Sequence, residues 1–149
     1  MIDLKDNAGR HVSFTYRHMI AYMARRMEPL HIGPGQYVYL FALYGEDGQT
    51  QQNLSDRTLV DKSATARAIN KLEALGYVER KPDHTDKRSC RVFLTQKGIA
   101  VKPQLEVIVG EVQDILLKDL SDEEKTTLRA LLQKVSRNMI RATCAADKP

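Results

Sequence analysis

Basic side chains are concentrated in one stretch of this 149-residue chain, between Lys62 and Arg91. The cationic residues of this stretch are Lys62, Arg67, Lys71, Arg80, Lys81, Lys87, Arg88 and Arg91, and its acidic residues are Glu73, Glu79, Asp83 and Asp86. Cations at this density attract phosphate and carboxylate groups, so the chemistry that the stretch offers is recognition of a polyanion. The formal net charge of +4 permits such a partner without requiring it.

Motifs for catalysis and metal binding are absent from the sequence. The four histidines are His11, His18, His31 and His84. They are scattered among different predicted elements, and none is paired with a cysteine or a carboxylate at ligand spacing. The chain has neither a phosphate-cradling glycine loop nor a G-x-S-x-G nucleophile motif. We therefore predict a protein that is not an enzyme and that uses no metal ion and no other cofactor.

The two cysteines, Cys90 and Cys144, are far apart in sequence and do not have metal-ligand spacing. The N-terminal segment MIDLKDNAGR does not resemble a signal peptide, and the chain contains no long apolar run. These features predict a reduced, cytoplasmic protein without a membrane segment. Both thiols are interpreted as structural or incidental, and Cys90, with Arg88 and Arg91 nearby, is the one candidate for redox sensing.

Apolar residues recurring at helical spacing predict that most of the chain is α-helical. The first helix covers about residues 10–27, and the second has Pro34 in its first turn and ends at Gly45. The segment EDGQTQQ is predicted to be a turn followed by a polar connection. Two more helices come next, first NLSDRTL and then a longer helix that Asp61 caps and Gly76 terminates.

Two strand-like runs, Val78 to Lys81 and Ser89 to Leu94, flank a charged hairpin tip. Two helices follow. Pro103 either kinks the first of them or marks its start, whereas Ser121 and Glu124 form a capping box at the start of the second. A helix pair followed by a charged hairpin predicts a winged helix-turn-helix, a module that presents its second helix to a DNA major groove.

The amphipathic helices at the two ends of the chain suggest an interleaved dimer, because each has an apolar face that needs a partner. The predicted fold class is mainly α with a small β-hairpin wing, in which the N- and C-terminal helices form a dimerisation lobe. The domain is predicted to span residues 8–141, with a DNA-binding lobe at about 33–98 and dimerisation helices at about 8–30 and 99–141. Residues 142–149 form a polar tail.

The helix from Asp61 to Leu75 has one face that suits DNA. At about 100° per residue, the inward residues are Thr65, Ala68, Ile69 and Leu72, and the outward residues are Ser63, Ala66, Arg67, Asn70 and Lys71. Arg67 can bind guanine bidentately, and Asn70 can pair with adenine. Ser63 and Thr65 lie where phosphates meet the start of the helix. The alternative is an ordinary solvated face, and the neighbouring basic hairpin favours DNA.

The hairpin tip contains a candidate for minor-groove insertion. Arg88 is the predicted insertion residue, because a narrow groove concentrates negative potential. Asp86 is placed to hold its guanidinium through a charge-assisted hydrogen bond. The predicted phosphate contacts are Lys62, Lys71, Lys81 and Lys87. The alternative is that Asp86 and Arg88 form a solvated pair on a loop.

The segment from Asn53 to Gly98 resembles the DNA-binding lobe of the MarR (multiple antibiotic resistance regulator) family. The resemblance rests on KLEALGYVER, on the D-x-R motif Asp86-Lys87-Arg88 and on LTQKG, and GPGQYVYLFAL resembles the second helix of the family. It implies a homodimer that binds pseudo-palindromic double-stranded DNA operators, usually as a repressor. It also implies that small aromatic or phenolic acids often release the protein from its operator. Family wings often carry two adjacent arginines, whereas here Ser89 follows Arg88.

The resemblance also implies an effector site where the dimerisation and DNA-binding lobes meet. The first two helices offer Arg17, His18, Met19, Tyr37 and Phe41 to such a site. Arg17 and Tyr37 would supply the cation and the phenol donor that a carboxylate needs. The alternative is that Tyr37 is a core aromatic and Arg17 a surface charge. The alternative function is a winged helix that docks proteins, or acts architecturally, without specific operator binding.

Overall fold

The computed structural model describes residues 6–84 and 89–146, which form helices and one small sheet. The helices are α1 (Ala8–Met27), α2 (Tyr37–Gly45), α3 (Gln51–Thr58), α4 (Lys62–Ala74), α5 (Gln96–Ala100), α6 (Lys102–Leu117) and α7 (Asp122–Ala146). The strands are β1 (Gln49–Thr50), β2 (Val78–Pro82) and β3 (Cys90–Leu94), and a 3-10 turn, Glu28–Leu30, follows α1. The predicted fold class, mainly helical with a small β element, is confirmed.

By its internal contacts the chain divides into two compact units, residues 1–112 and 113–149. The first unit contains the hydrophobic core, in which side chains from α1, α2, α3, α4, the sheet and α6 meet. Core members with no exposed surface are Met27, Leu40, Leu54, Ile69, Leu72 and Leu105. The second unit contains α7. In the part of the chain that the structure describes, no helix has the length and apolarity needed to cross a bilayer.

Both ends of α4 are fixed by the residues that the sequence indicates. The Asp61 carboxylate accepts a hydrogen bond from the Ala64 amide at 2.8 Å, which caps the first turn. At the other end Gly76 has a φ of +75°, and its amide donates to the Glu73 carbonyl at 2.9 Å. The Tyr77 amide donates to the Leu72 carbonyl at 2.9 Å, which completes a Schellman motif. The predicted bounds of this helix are confirmed.

The sheet has three antiparallel strands in the order β1-β3-β2, so the predicted hairpin gains an additional strand. Gln49 pairs with Val92, and Val78 pairs with Leu94. The prediction of a polar connection at β1 was wrong. Gln49 and Thr50 form a strand there because they pair with β3, which lies about 40 positions later in the chain. Thr50 then caps α3, which begins at Gln51, two residues before its predicted start.

Proline marks the start of one helix and precedes the start of another. Pro103 is the second residue of α6, so it begins that helix and does not kink it. Pro34 lies in a turn before α2, and its prediction within the first helical turn was wrong. Gln36 closes that turn, since its side-chain oxygen accepts from the Gly33 amide at 3.0 Å and its own amide donates to the Gly33 carbonyl at 2.9 Å.

The capping box before α7 is confirmed by two reciprocal hydrogen bonds. The Ser121 amide donates to the Glu124 carboxylate at 2.7 Å, and the Glu124 amide donates to the Ser121 hydroxyl at 3.2 Å.

In the segment LTQKG, Gly98 is required by a close approach, because a β-carbon there would lie 2.1 Å from the carbonyl oxygen of Tyr77. The short helix α5 therefore packs directly on the backbone that joins α4 to β2.

An ion pair joins α1 to α6 within the first unit. The Arg26 guanidinium donates to both carboxylate oxygens of Glu111, at 2.6 and 2.7 Å, and the Tyr22 hydroxyl donates to the same carboxylate at 3.1 Å. The hydrogen bond from Arg26, helped by that from Tyr22, holds the pKa of Glu111 below its usual value. The contribution of the Arg26–Glu111 pair to the stability of the fold is therefore present at neutral pH. It is lost as the pH falls through the lowered pKa of Glu111.

We expect Glu111→Gln to lower the melting temperature by a small margin at pH 7, because the pair is partly exposed to solvent. The difference from the wild type should shrink as the pH falls through the lowered pKa of Glu111, because the carboxylate is then protonated in both the folded and unfolded states. Thermal unfolding followed by circular dichroism between pH 3 and pH 7 measures this. Glu106→Gln is the matched control, since Glu106 lies 3.8 Å from Lys102 on the same helix. An equal loss at all pH values would contradict the prediction.

Candidate nucleic-acid interface

The outward face of α4 carries the residues that the helical periodicity places there. Thr65, Ile69 and Leu72 are fully buried, whereas Ser63, Arg67, Asn70 and Lys71 are exposed and Ala66 is half-buried. The expectation that Thr65 meets phosphate was wrong. Its hydroxyl lies 3.1 Å from the Tyr39 hydroxyl and 3.4 Å from the Val60 carbonyl oxygen, inside the core.

A tight turn fixes α4 relative to α3. Leu59 has a φ of +55°, which reverses the chain after α3, and the Ser55 hydroxyl donates to the Val60 carbonyl at 2.6 Å. Leu54 of α3 is fully buried beneath this turn. The two helices and the turn have the arrangement of a helix-turn-helix, and the packing of α3 leaves the outward face of α4 exposed.

The cations of this region fall into two groups. Arg80 pairs with Glu73, and Arg91 pairs with Asp83 at 2.7 Å. Lys81 lies 2.9 Å from Glu79 and 5.2 Å from the ring centroid of Phe93. By contrast, no carboxylate of the described residues lies within ion-pair distance of the cations on α4, which are Lys62, Arg67 and Lys71. Among the described residues of this stretch, the cations without a carboxylate partner are therefore on the recognition helix, the name used here for α4.

Lys71 differs from its neighbours in position. It lines an open depression together with Arg25, Glu28 and His31, which come from the end of α1 and the turn after it. Lys71 is therefore at the edge of the outward face, beside two further basic side chains and one carboxylate, that of Glu28. This is a suitable place for a phosphate contact beside the groove, and less suitable for reading a base.

Arg80 of β2 connects three elements of the first unit. Its guanidinium and its backbone amide both bind the Glu73 carboxylate of α4, the amide at 3.1 Å. Its Nη2 donates to the side-chain oxygens of Asn70 at 2.7 Å and of Gln51 at 3.1 Å. Sequence reasoning counted Arg80 among the basic excess and missed this arrangement, in which it contacts a predicted base-reading residue.

The base of the hairpin is fixed to the turn before β1. The Asp83 amide donates to the Ser89 carbonyl at 2.9 Å, and the Arg91 side chain donates to the nearly buried Asp83 carboxylate. Arg91 also donates to the Gly48 carbonyl at 3.0 Å. Gly48 has a φ of +69°, and a β-carbon there would lie 2.7 Å from the Phe93 ring. The hairpin therefore starts from a rigid base. The predicted tip contacts, Asp86, Lys87 and Arg88, lie outside the described residues.

The predicted effector residues occupy two environments. Tyr37 and Phe41 are half-buried, and their rings meet edge to face with 6.0 Å between the ring centroids. Met19, like both of them, packs against the hydrophobic core of the first unit. Burial raises the pKa of Tyr37 above its usual value. Arg17 and His18 are exposed, and the Arg17 guanidinium lies 5.0 Å from the ring centroid of Phe14. The structure thus gives an aromatic wall on α2 and an exposed cation on α1.

Other chemistry has little support in the described residues. No group of three or more His, Cys, Asp and Glu side chains among them has an arrangement that could hold a metal ion. Cys90 is a free thiol, exposed on β3. The most developed site that the structure presents is therefore the outward face of α4 beside the hairpin.

Comparison with known proteins identifies the family. The model of the MarR family matches residues 32–89. A Bacillus subtilis relative, the HTH-type transcriptional regulator YybA, is 37% identical over 107 residues, which cover 72% of this chain and 71% of the relative. The chain belongs to the MarR family. The relative's name is that of a transcriptional regulator and not of an enzyme.

Solved structures of the family share the fold over most of this chain. A MarR transcriptional regulator from Methanosarcina mazei Go1 is 40% identical, with a TM-score of 0.82 over 90% of this chain and 96% of the other. A MarR mutant from Escherichia coli, crystallised in complex with operator DNA, is 31% identical, with a TM-score of 0.78 over 85% of this chain and 91% of that one. The predicted resemblance to the MarR family is thus confirmed, and the fold is the MarR winged helix.

Proposed function

We propose that this protein is a cytoplasmic, homodimeric repressor that binds a pseudo-palindromic operator and is released by a small aromatic or phenolic acid. One observation carries the DNA-binding part. The outward face of α4 presents exposed Arg67 and Asn70, and the cations of that face have no carboxylate partner among the described residues. The E. coli MarR structure with operator DNA supports the same use of the fold.

The recognition helix would lie in a major groove and read bases with its outward residues. Arg67 would donate to the O6 and N7 atoms of a guanine, and Ala66 would contact a thymine methyl group. Ser63, near the start of α4, and Asn70, one turn beyond Ala66, would contact the flanking bases or their phosphates. Two such helices in a dimer would read half-sites about 10 base pairs apart.

Lysines around this face would provide the salt-dependent part of the affinity. Lys62 at the start of α4 and Lys71 near its end lie at either end of the reading residues, and Lys81 lies on the hairpin. Lys87 would make a corresponding contact from the tip. Each phosphate contact releases condensed counterions, so the affinity should fall steeply as the salt concentration rises.

The hairpin would add a minor-groove contact. Its base is held by the Arg91–Asp83 pair and by the hydrogen bond from Arg91 to the Gly48 carbonyl. Arg88 would enter the narrow groove next to the half-site, and Asp86 would orient it. A rigid base supports this use, because insertion of one side chain requires little loss of backbone freedom on binding.

A dimer is supported by the apolar face of α7. Four of its side chains are exposed by 43 to 61% in the single chain, namely Leu131, Leu132, Val135 and Met139. On α1, Val12 and Tyr16 are exposed by 49 and 58%. Apolar stripes of this size on long helices are typical of surfaces that a partner covers. A second copy of the chain is the partner that we propose.

The effector proposal rests on α1 and α2. The half-buried Tyr37 and Phe41 would provide an aromatic wall, and Met19 would extend it. Arg17 would bind the carboxylate, with His18 beside it and the Tyr37 phenol as a donor. The acid can release DNA only if it binds more tightly to a conformation in which the two recognition helices no longer match the operator.

Fluorescence anisotropy with DNA from immediately upstream of the gene tests the proposed function. Tight binding at two salt concentrations, with a steep salt slope and at least about a thousandfold preference over a scrambled duplex, is the expected result. Titration of salicylate and benzoate into the complex then tests release. Equal and weak binding to both duplexes would favour the alternative, a winged helix that docks proteins.

A further inference from the structure

The side-chain amide of Asn70 is held from one side before any DNA arrives. Its oxygen, Oδ1, accepts a hydrogen bond at 2.7 Å from Nη2 of Arg80, a residue of the neighbouring strand. We infer that Arg80 is a positioning residue that fixes the Asn70 amide so that Asn70 reads DNA as a hydrogen-bond donor. This inference rests on the proposed function, because it concerns which base Asn70 selects.

Arg80 is well held for such a role. Its side chain is 25% exposed, and Glu73, one turn from Asn70 on α4, binds both its guanidinium and its backbone amide. Gln51 of α3 accepts from the same Nη2 at 3.1 Å. A planar guanidinium with several fixed acceptors has little freedom to rotate, so the position of the hydrogen that it offers to Asn70 is also fixed.

The charge of Arg80 argues against a direct role in binding phosphate. The carboxylate of Glu73 neutralises the guanidinium locally, and Nη1 and Nη2 of Arg80 already donate to acceptors of the protein. Lys81, the next residue on β2, also lies near a carboxylate, that of Glu79 at 2.9 Å, but its side chain is 54% exposed against 25% for Arg80, so it is the better phosphate contact. The feature of Arg80 that bears on DNA is therefore its bond to the oxygen of Asn70.

Fixing one end of an amide decides what the other end presents. Bidentate pairing of asparagine with adenine needs Oδ1 to accept from the adenine amino group while Nδ2 donates to N7. With Oδ1 directed to Arg80, the NH2 group of Asn70 is the end that faces away from the guanidinium. It can donate to O6 or N7 of guanine or to O4 of thymine, and it does not match the amino group of adenine or cytosine.

Without Arg80 this selection should weaken. An exposed asparagine amide can turn over and present either its oxygen or its NH2 group, so it matches donors and acceptors alike. Discrimination at the base pair under Asn70 would then fall, although Arg80 itself makes no contact with that pair. A purely structural role for Arg80 predicts something else, namely a loss of stability or a uniform loss of affinity for all operator variants.

The experiment uses the full-length protein and a panel of operators in which each base pair is changed in turn. Asn70→Ala identifies the pair whose discrimination depends on Asn70. We expect Arg80→Met and Arg80→Lys to reduce discrimination at that same pair by roughly fivefold to a hundredfold, the worth of one good base contact. Lys81→Met, which removes a charge from the next residue, should weaken binding to all the operators alike.

Two further variants make the result decisive. The double variant of Asn70→Ala with Arg80→Met should lose no more discrimination at that pair than Asn70→Ala alone, because both act through one contact. Asn70→Asp keeps an oxygen for Arg80 but replaces the donor with an acceptor, so its preference should move towards a pair that offers an amino group. Asn70 is exposed, so Asn70→Ala and Asn70→Asp are expected to fold, and circular dichroism checks the fold of every variant.

The outcomes separate this inference from the proposed function. If the wild type does not prefer any operator, the proposed function fails. If the wild type is selective but both Arg80 variants keep full discrimination at the Asn70 pair, or Asn70→Asp keeps the wild-type preference, the inference alone is overturned. Should Arg80→Met fail to fold, Arg80→Lys and Asn70→Asp still decide the result.

Discussion

Replacing Arg67 with alanine is expected to weaken operator binding by roughly 30-fold to 25,000-fold and to remove a preference for guanine in each half-site. Arg67 is exposed at the centre of the outward face of α4. A bidentate contact between arginine and guanine is worth about 1 to 3 kcal/mol, and a dimer on a two-fold operator makes it twice. Anisotropy titrations against the operator and against variants at each guanine measure both effects.

The control for Arg67→Ala is Arg137→Ala. Arg137 is an exposed arginine of α7 whose Nε donates to the Gln133 carbonyl at 3.2 Å, and it lies on the polar side of that helix. The substitution Arg137→Ala removes the same charge from each protomer as Arg67→Ala, so any long-range electrostatic effect of the two should be similar. The operator affinity of Arg137→Ala should differ from that of the wild type by less than about twofold. A loss for Arg67→Ala that is equal on operator and scrambled DNA would mean that Arg67 contacts only phosphate.

Lys62 provides a useful contrast to Arg67 on the same helix. It is the first residue of α4, where side chains approach phosphates and not base edges. Its replacement should weaken binding to operator and scrambled DNA alike and should reduce the salt slope by about two for a dimer. The contrast between the two variants would therefore distinguish base reading from phosphate binding.

The features of α4 that the sequence predicts correctly are local ones. Asp61 caps the helix and Gly76 ends it because the hydrogen bonds involved span only three to five residues. The inward face follows from helical periodicity alone, which is why Ile69 and Leu72 are buried as expected. The same periodicity placed Thr65 inward, and its assignment to phosphate ignored that its hydroxyl has partners in the core.

The features that the sequence did not reveal depend on contacts between distant residues. Strand β1 is two residues long and exists only because Gln49 and Thr50 pair with β3. The bond from Arg80 to Asn70 depends on how closely β2 passes α4, and no pattern in the sequence encodes that distance. The DNA contacts of Asp86, Lys87 and Arg88 stay predictions.

Replacing Leu132 with glutamate is expected to convert the proposed dimer into monomers and to reduce operator affinity by at least about a hundredfold. Leu132 is 47% exposed on α7 in the single chain. In a dimer closed by this face, two carboxylates would have to leave water without partners, which costs several kcal/mol. Light scattering coupled to gel filtration measures the mass, and anisotropy measures the affinity.

Ala130→Glu is the matched control for Leu132→Glu. With Leu128 set at zero and about 100° per residue, Leu132 lies near 40° and Ala130 near 200°, so the control adds the same charge to the opposite side of the same helix. It should leave the mass and the affinity unchanged. Both positions are exposed in the single chain, so neither substitution disturbs the core of the first unit.

The coupling between the two measurements is the decisive part. A monomer can occupy only one half-site at a time, so it loses the gain in affinity that comes from linking two recognition helices. Loss of the dimer together with loss of operator binding would connect α7 to the function of α4. If Leu132→Glu remains a dimer, the apolar face of α7 does not form the interface. If it is a monomer with full operator affinity, each chain recognises DNA independently and the two-fold operator is wrong.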